Sequence, residues 1–209
     1  DSLAVFRKKS PHGEDGSSLY GSHGLRLKDA MSASGGGALA WDRTCDVNLA
    51  LDAVRDPGNL GTIIRVCDWF GMRHLILSAD CCDCFNPKVV RATSGSLARV
   101  KVHYCGQEWG FGEELRSLGV PLVGASMEGR SIYEAKAFPK RQGALLVMGN
   151  EGQGLSEEVA AAMDAFTSIP AYAKCSDSDN GPGDFGAESL NVAISASILI
   201  SEIKRSARD

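Results

Sequence analysis

The chain has 209 residues, 44% of them apolar and 23% charged, which is enough for one full hydrophobic core and matches ordinary globular composition. Its 22 basic and 26 acidic side chains give a formal net charge of -4, which excludes a surface that is basic all round and leaves only local patches for a polyanion. No apolar run approaches the length of a membrane span, the opening residues lack a signal-peptide core, and seven cysteines cannot all pair internally.

Residues 1–45 read as a flexible arm or linker, because 7–40 are rich in Gly, Ser and charge and show no helical or strand period. Leu19, Leu25, Leu27 and Trp41 are the side chains through which such an arm could touch the body. The folded domain is expected over 46–209. A strand at 47–54 leads into an Asp-Pro-Gly-Asn turn, and LGTIIRVCDWFG follows as a helix with Ile63, Val66, Trp69 and Phe70 at helical spacing, stopped by Gly71. A strand through RHLILSA and a helix from about Pro87 come next, the helix presenting Val89, Val90 and Leu97. A strand at 100–104, a helix closing at Gly119 and a strand in VPLVGAS continue the alternation. GALLVMG at 143–149 is almost wholly apolar, as a central parallel strand covered on both faces requires. SEEVAAAMDA is a helix with Glu157 and Glu158 in its first turn, SIPAYA a short strand or exit loop, and LNVAISASILISEIKR a final helix with a continuous apolar stripe. The sum is an α/β domain of about six strands in a mostly parallel sheet, with helices on both faces.

Cysteines 81, 82 and 84 form a CCDC turn that lacks the separated Cys-x₂-Cys pairs of common zinc sites, so no metal is expected and the thiols read as unpaired. Small basic groups, among them Arg91, Arg99 and Lys101, and Lys204, Arg205 and Arg208, read as solvated faces. Ser, His and Asp or Glu do not assemble into a hydrolase triad, since His12 and His23 fall in the arm and His74 and His103 in strands.

Three polar segments adjoin apolar runs. In DPGNLGTIIR at 56–65, Gly58 and Gly61 permit an abrupt turn, Asn59 either caps the next helix or orients a ligand, and Arg65 lies about one turn in, able to reach a phosphate or to form a surface ion pair. In GNEGQGL at 149–155, the glycines at 149, 152 and 154 open the backbone to a ligand or make a tight turn, while Glu151 either fixes a neighbouring loop or holds Arg65. In ESLNVAIS at 188–195, Ser189 is an N-cap candidate and Asn191 stands beside it at the start of the last helix.

Taken in order, these segments resemble the three motifs of the SpoU/TrmH family, the SPOUT-class RNA 2′-O-ribose methyltransferases. Asn59, Gly61 and Arg65 match the first motif. Gly149, Glu151, Gly154 and Leu155 match the second, and Ile169, Pro170, Ser189, Leu190, Asn191 and Val192 the third. The resemblance covers 47–206 and implies a C-terminal deep trefoil knot, S-adenosylmethionine as methyl donor, an RNA substrate (rRNA or tRNA) and pairing of two chains through the knotted region. It places Ala125, Gly149, Gly152, Ile169, Leu190 and Asn191 at the cofactor. Asn59, Arg65, Glu151, Ser189 and Asn191 fall at the catalytic centre, where the arginine acts with an RNA phosphate on the ribose hydroxyl. A guanidinium stays protonated in proteins, so clamping a phosphate and orienting the hydroxyl is the first role for Arg65. The chain departs from the pattern in an insertion at 173–187 and in lacking a compact RNA-recognition domain before residue 46. The alternative function is therefore a catalytically silent RNA-binding or ribosome assembly factor, with ribosomal or assembly proteins as further partners. The compartments that fit are the cytoplasm and the mitochondrial matrix.

Overall fold

The computed structural model describes residues 27, 47–106, 110–134, 138–139, 144–172 and 189–207. Six strands form one sheet: β1 (Val47–Leu51), β2 (His74–Leu77), β3 (Lys101–Tyr104), β4 (Leu122–Ser131), β5 (Ala144–Met148) and β6 (Ala165–Ser168), in the order β3-β2-β1-β5-β4-β6. Every neighbouring pair is parallel. β5 is buried throughout and pairs with both β1 and β4, the central position its unbroken apolar sequence requires.

Helices α1 (Pro57–Trp69), α2 (Pro87–Thr93), α3 (Phe111–Arg116), α4 (Glu157–Ala161) and α5 (Val192–Ser206) cover the two faces. On one face Leu49, Leu51, Leu75, Leu77, Leu146 and Met148 meet α1, α2 and α5. Ala50, Ile76, Leu145 and Val147 face the other way, onto Phe111 and Leu115 of α3 and Val159 of α4. Leu27, from the segment read as an arm, belongs to this second cluster. It is 4% exposed, and its N–H donates to the buried Glu114 carboxylate over 2.5 Å. Burial of one such side chain contributes about 2 kcal/mol.

Several boundaries differ from the sequence expectation, each for a local reason. α1 begins at Pro57, because proline has no N–H to lose at the first helical position and Asp56 caps the helix with its carboxylate. α2 stops at Thr93: Ser94 takes a left-handed conformation with φ 50°, and Leu97 falls in a separate 3₁₀ turn at Ser96–Ala98. β6 lies at 165–168, ahead of the Ile-Pro pair, so SIPAYA is mostly exit loop. Between Ala125 and Arg130, β4 leaves its register with β6 and returns to the same Thr167. The insertion at 173–187 lies outside the described residues.

On the second face, Nδ1 of His74 and Nε2 of His103 stand 2.9 Å apart across β2 and β3. Burial, with the charges of His74 and Lys101 adding to it, lowers the His103 imidazole from 6.5 to about 4. Between those values the unfolded chain binds a proton that the folded chain refuses. The stabilisation is therefore complete above pH 6.5 and falls away as the pH drops towards 4. Thermal melts across that window are expected to show a falling midpoint, with a shallower fall in His103→Gln; equal slopes in the two proteins would contradict this origin.

Candidate active site at the carboxyl edge of the sheet

The first two polar segments leave the carboxyl ends of the paired strands β1 and β5, the edge where a parallel sheet presents its connecting loops, and Asn191 ties the third to them. Asn59, in the first turn of α1, joins them. Its amide Nδ2 donates to Glu151 Oε1 in the glycine loop, and its Oδ1 accepts from Asn191 Nδ2 at 2.9 Å. One short side chain thus uses both ends of its amide to tie together segments 92 and 132 residues away.

The capping roles are redistributed. Asn59 does not cap α1; Asp56 does, its Oδ1 accepting from the Asn59 N–H at 2.8 Å, and this frees the Asn59 side chain. Nor does Ser189 cap α5. That residue is exposed and has no hydrogen-bond partner among the described residues, whereas Asn191 Oδ1 accepts from the N–H groups of Ala193 and Ile194 at 3.0 and 3.4 Å. Asn191 therefore starts a helix with one end of its amide and holds Asn59 with the other. Gly61 makes no turn. It lies inside α1, where a Cβ would stand 2.5 Å from Ala92 Cβ and 2.8 Å from the Val89 carbonyl, so its hydrogen is what lets α2 approach.

Arg65 is exposed on α1, one side of a stripe with Gly58, Thr62 and Trp69, and makes no hydrogen bond or ion pair with the described residues. Glu151 is engaged by Asn59 rather than by Arg65. The guanidinium is left facing outward, a turn and a half beyond Asn59, where an incoming phosphate would meet it.

The sequence reading missed three polar residues that build the loops. Asn150 pairs with Gly154 through reciprocal main-chain bonds of 2.9 and 2.8 Å, its Oδ1 accepts from Gly152 N–H, and its Nδ2 donates to the Ala53 carbonyl. Asp52, 5% exposed, accepts from Ser156 N–H at 2.8 Å and so fixes the entry to α4. Asp56 is the cap already described. Their signal in the sequence is short, an Asn or Asp next to a strand end and a glycine, and many loops carry it.

The residues expected at a cofactor are brought together only in part. The β4 register sets Gly124 beside Val147 and Ala125 beside Thr167, so Ala125 lies inside β4 just past its last pair with β5, while Gly149 and Ile169 directly follow β5 and β6. A Cβ at Gly152 would meet only Asn150 Oδ1, at 3.5 Å, and Leu190 is 46% exposed immediately before Asn191. Small and apolar side chains beside main-chain polar groups at strand ends suit a flat purine carrying a sulfonium tail. S-adenosylmethionine therefore fits this donor set.

The CCDC turn walls the first loop. Cys82 N–H donates to the Val54 carbonyl, and Tyr104 pins the turn by donating to the Cys82 carbonyl at 2.6 Å and accepting from Cys84 N–H at 2.8 Å. Burial raises the thiols of Cys81 and Cys84, the latter to about 11, which disfavours the thiolate that a metal or nucleophile role would need.

The sequence model of the SpoU rRNA Methylase family matches residues 46–201. The chain belongs to that family. It is 32% identical over 156 residues to the 23S rRNA (guanosine(2553)-2'-O)-methyltransferase RlmP of Bacillus subtilis, a match covering 75% of this chain and 57% of that protein. The AdoMet-bound rRNA methyltransferase of Sinorhizobium meliloti superposes with a TM-score of 0.62 at 35% identity, covering 77% of this chain and 56% of that one. The SpoU methyltransferase AviRb of Streptomyces viridochromogenes, in complex with AdoMet, gives a TM-score of 0.61 at 30% identity, covering 78% and 60%. The chain thus spans little more than half the length of these relatives. No described helix is long and apolar enough to cross a membrane.

Proposed function

We propose that this chain transfers a methyl group from S-adenosylmethionine to a ribose 2′-oxygen of structured RNA, ribosomal or transfer. The observation that carries the reading is Asn59 holding Glu151 and Asn191 at once, because it locks the glycine loop and the start of α5 against the helix that bears Arg65. Ala125, Gly149, Gly152, Ile169, Leu190 and Asn191 would hold the donor. Bound there, it supplies a methyl group on a positively charged sulfur.

The chain itself supplies position. Arg65 offers parallel N–H donors to an RNA phosphate and sets the ribose hydroxyl relative to the loops. Ser189, exposed beside Asn191, adds a hydroxyl on the substrate side. Asn59 and Glu151 act through the loops they fix. Two chains paired through the C-terminal knotted region belong to the same reading, and Leu190 and Ile194, 46% and 54% exposed, give that region an apolar surface. Ribosomal or assembly proteins are its further partners, and it requires a compartment that holds such RNA, the cytoplasm or the mitochondrial matrix.

Calorimetric titration of the full chain is expected to show S-adenosylmethionine binding. Asn59→Ala is expected to weaken that binding and slow methyl transfer to RNA together by roughly tenfold or more, since it deletes two side-chain hydrogen bonds of about 1 kcal/mol each. A folded chain that retains RNA and takes up no donor would sink the enzyme reading in favour of a silent assembly factor.

A further inference from the structure

Trp69 is 85% exposed, although it ends the helix that carries Arg65 and its neighbour Phe70 packs on the core. Isolated exposed apolar residues are ordinary. This one has unusual company. Arg65 lies four residues earlier on the same face of α1, about 6 Å along the axis. Arg99 forks Asp68, with Nε 2.9 and 3.0 Å from its two oxygens and a terminal nitrogen 2.6 Å from Oδ2, so the carboxylate next to Trp69 is already neutralised. Arg73 follows the Phe70 that caps α1 by three residues, directly ahead of β2. Arg65 and Arg73 are exposed and have no ion-pair partner among the described residues.

We infer that Trp69 is a stacking platform for an unpaired base of the RNA, flanked by phosphate contacts from Arg65 and Arg73. The inference rests on the RNA-methylating reading for the direction in which the strand runs, from Arg65 along α1 away from the loops. Exposed cations around a flat ring match a single strand, whose phosphates are anionic and whose every base has a π face. A second copy of the chain is a poor occupant, because an isologous contact here would set these cations against their own copies. The binding is expected to tolerate sequence, since stacking and phosphate contacts read neither donors nor acceptors on base edges.

The test is titration of the full chain with short oligo(U) and oligo(A) RNA, followed by tryptophan fluorescence and by anisotropy of labelled RNA, at several salt concentrations. Trp69→Ala is expected to weaken RNA binding roughly tenfold and Trp69→Phe less than threefold, because either aromatic ring stacks. The part of the quenching that comes from Trp69 disappears in both variants. Arg73→Ala is expected to lower the salt slope by about one. Unchanged affinity in Trp69→Ala, or Phe as weak as Ala, overturns the platform. So does a Trp69→Ala variant that falls apart into smaller species in sedimentation while keeping its RNA affinity, since the patch would then serve a second copy. S-adenosylmethionine binding measured on the same samples separates the readings: its absence from wild type would remove the methyltransferase proposal and leave the stacking result standing.

Discussion

Arg65→Ala is expected to lower kcat for RNA methylation roughly 10²–10³-fold, the loss seen when one preorganised donor is taken from a reacting group. S-adenosylmethionine affinity should stay within about twofold. The split follows from where the side chain stands. Arg65 is exposed and bonds to none of the described loop residues, whereas the loops at the donor are held by Asn59, Asn150 and Asp52. Removing it costs the substrate its clamp and leaves the cradle intact. The stability change should stay within about 0.5 kcal/mol, as for other surface substitutions. Single-turnover methyl transfer, donor calorimetry and a thermal melt on the same protein check all three. Lysine at this position is expected to recover only part of the rate, because an ammonium cannot present two parallel donors. A variant that turned over normally would remove Arg65 from the site, and one that lost donor binding as well would place it in the cradle.

The place of Arg65 inside α1, about one turn past Gly61, was legible from helical spacing, whereas its role came from the resemblance and belongs to the proposal. The partners of Asn59 were not legible. Its two side-chain bonds reach across 92 and 132 residues, and periodicity carries no information at that range. The two caps share one ambiguity. At each of the two helix starts the sequence offers two polar residues, Asp56 with Asn59 and Ser189 with Asn191, and only the backbone conformation decides which one caps. The proline at position 57 was the sign that α1 begins early. Strand count, parallel pairing and the central place of β5 were legible from alternation and from one unbroken apolar run. The left-handed Ser94 that ends α2 had no such sign, since a serine gives no advance notice of a positive φ.

Gly149→Ala is expected to be the most damaging single methyl group in the protein. A Cβ at residue 149 would stand 2.1 Å from both the carbonyl carbon and oxygen of Gly154, and 2.4 Å from the nitrogen of Leu155. All of these are main-chain atoms, so no rotamer change relieves the contact, and the loop must open. Opening it breaks the reciprocal bonds between Asn150 and Gly154 and, through Asn150, the tie to the Ala53 carbonyl. Glu151 then no longer sits where Asn59 can donate to it. Overpacking of this kind costs about 1–3 kcal/mol, and the melting midpoint should drop accordingly. The functional loss is expected to exceed the loss of stability: donor affinity falls roughly a hundredfold or more, because in the proposed site the displaced loop is itself the binding surface. The contrast with Gly152→Ala isolates the cause. A Cβ at 152 meets only Asn150 Oδ1, at 3.5 Å, so that variant should fold and melt like wild type. If it nevertheless loses donor binding, bound S-adenosylmethionine occupies the space beside Gly152. If Gly149→Ala keeps full donor affinity, the closed form of the loop is not what holds the cofactor, and the site must be built from the ends of β4 and β6 alone.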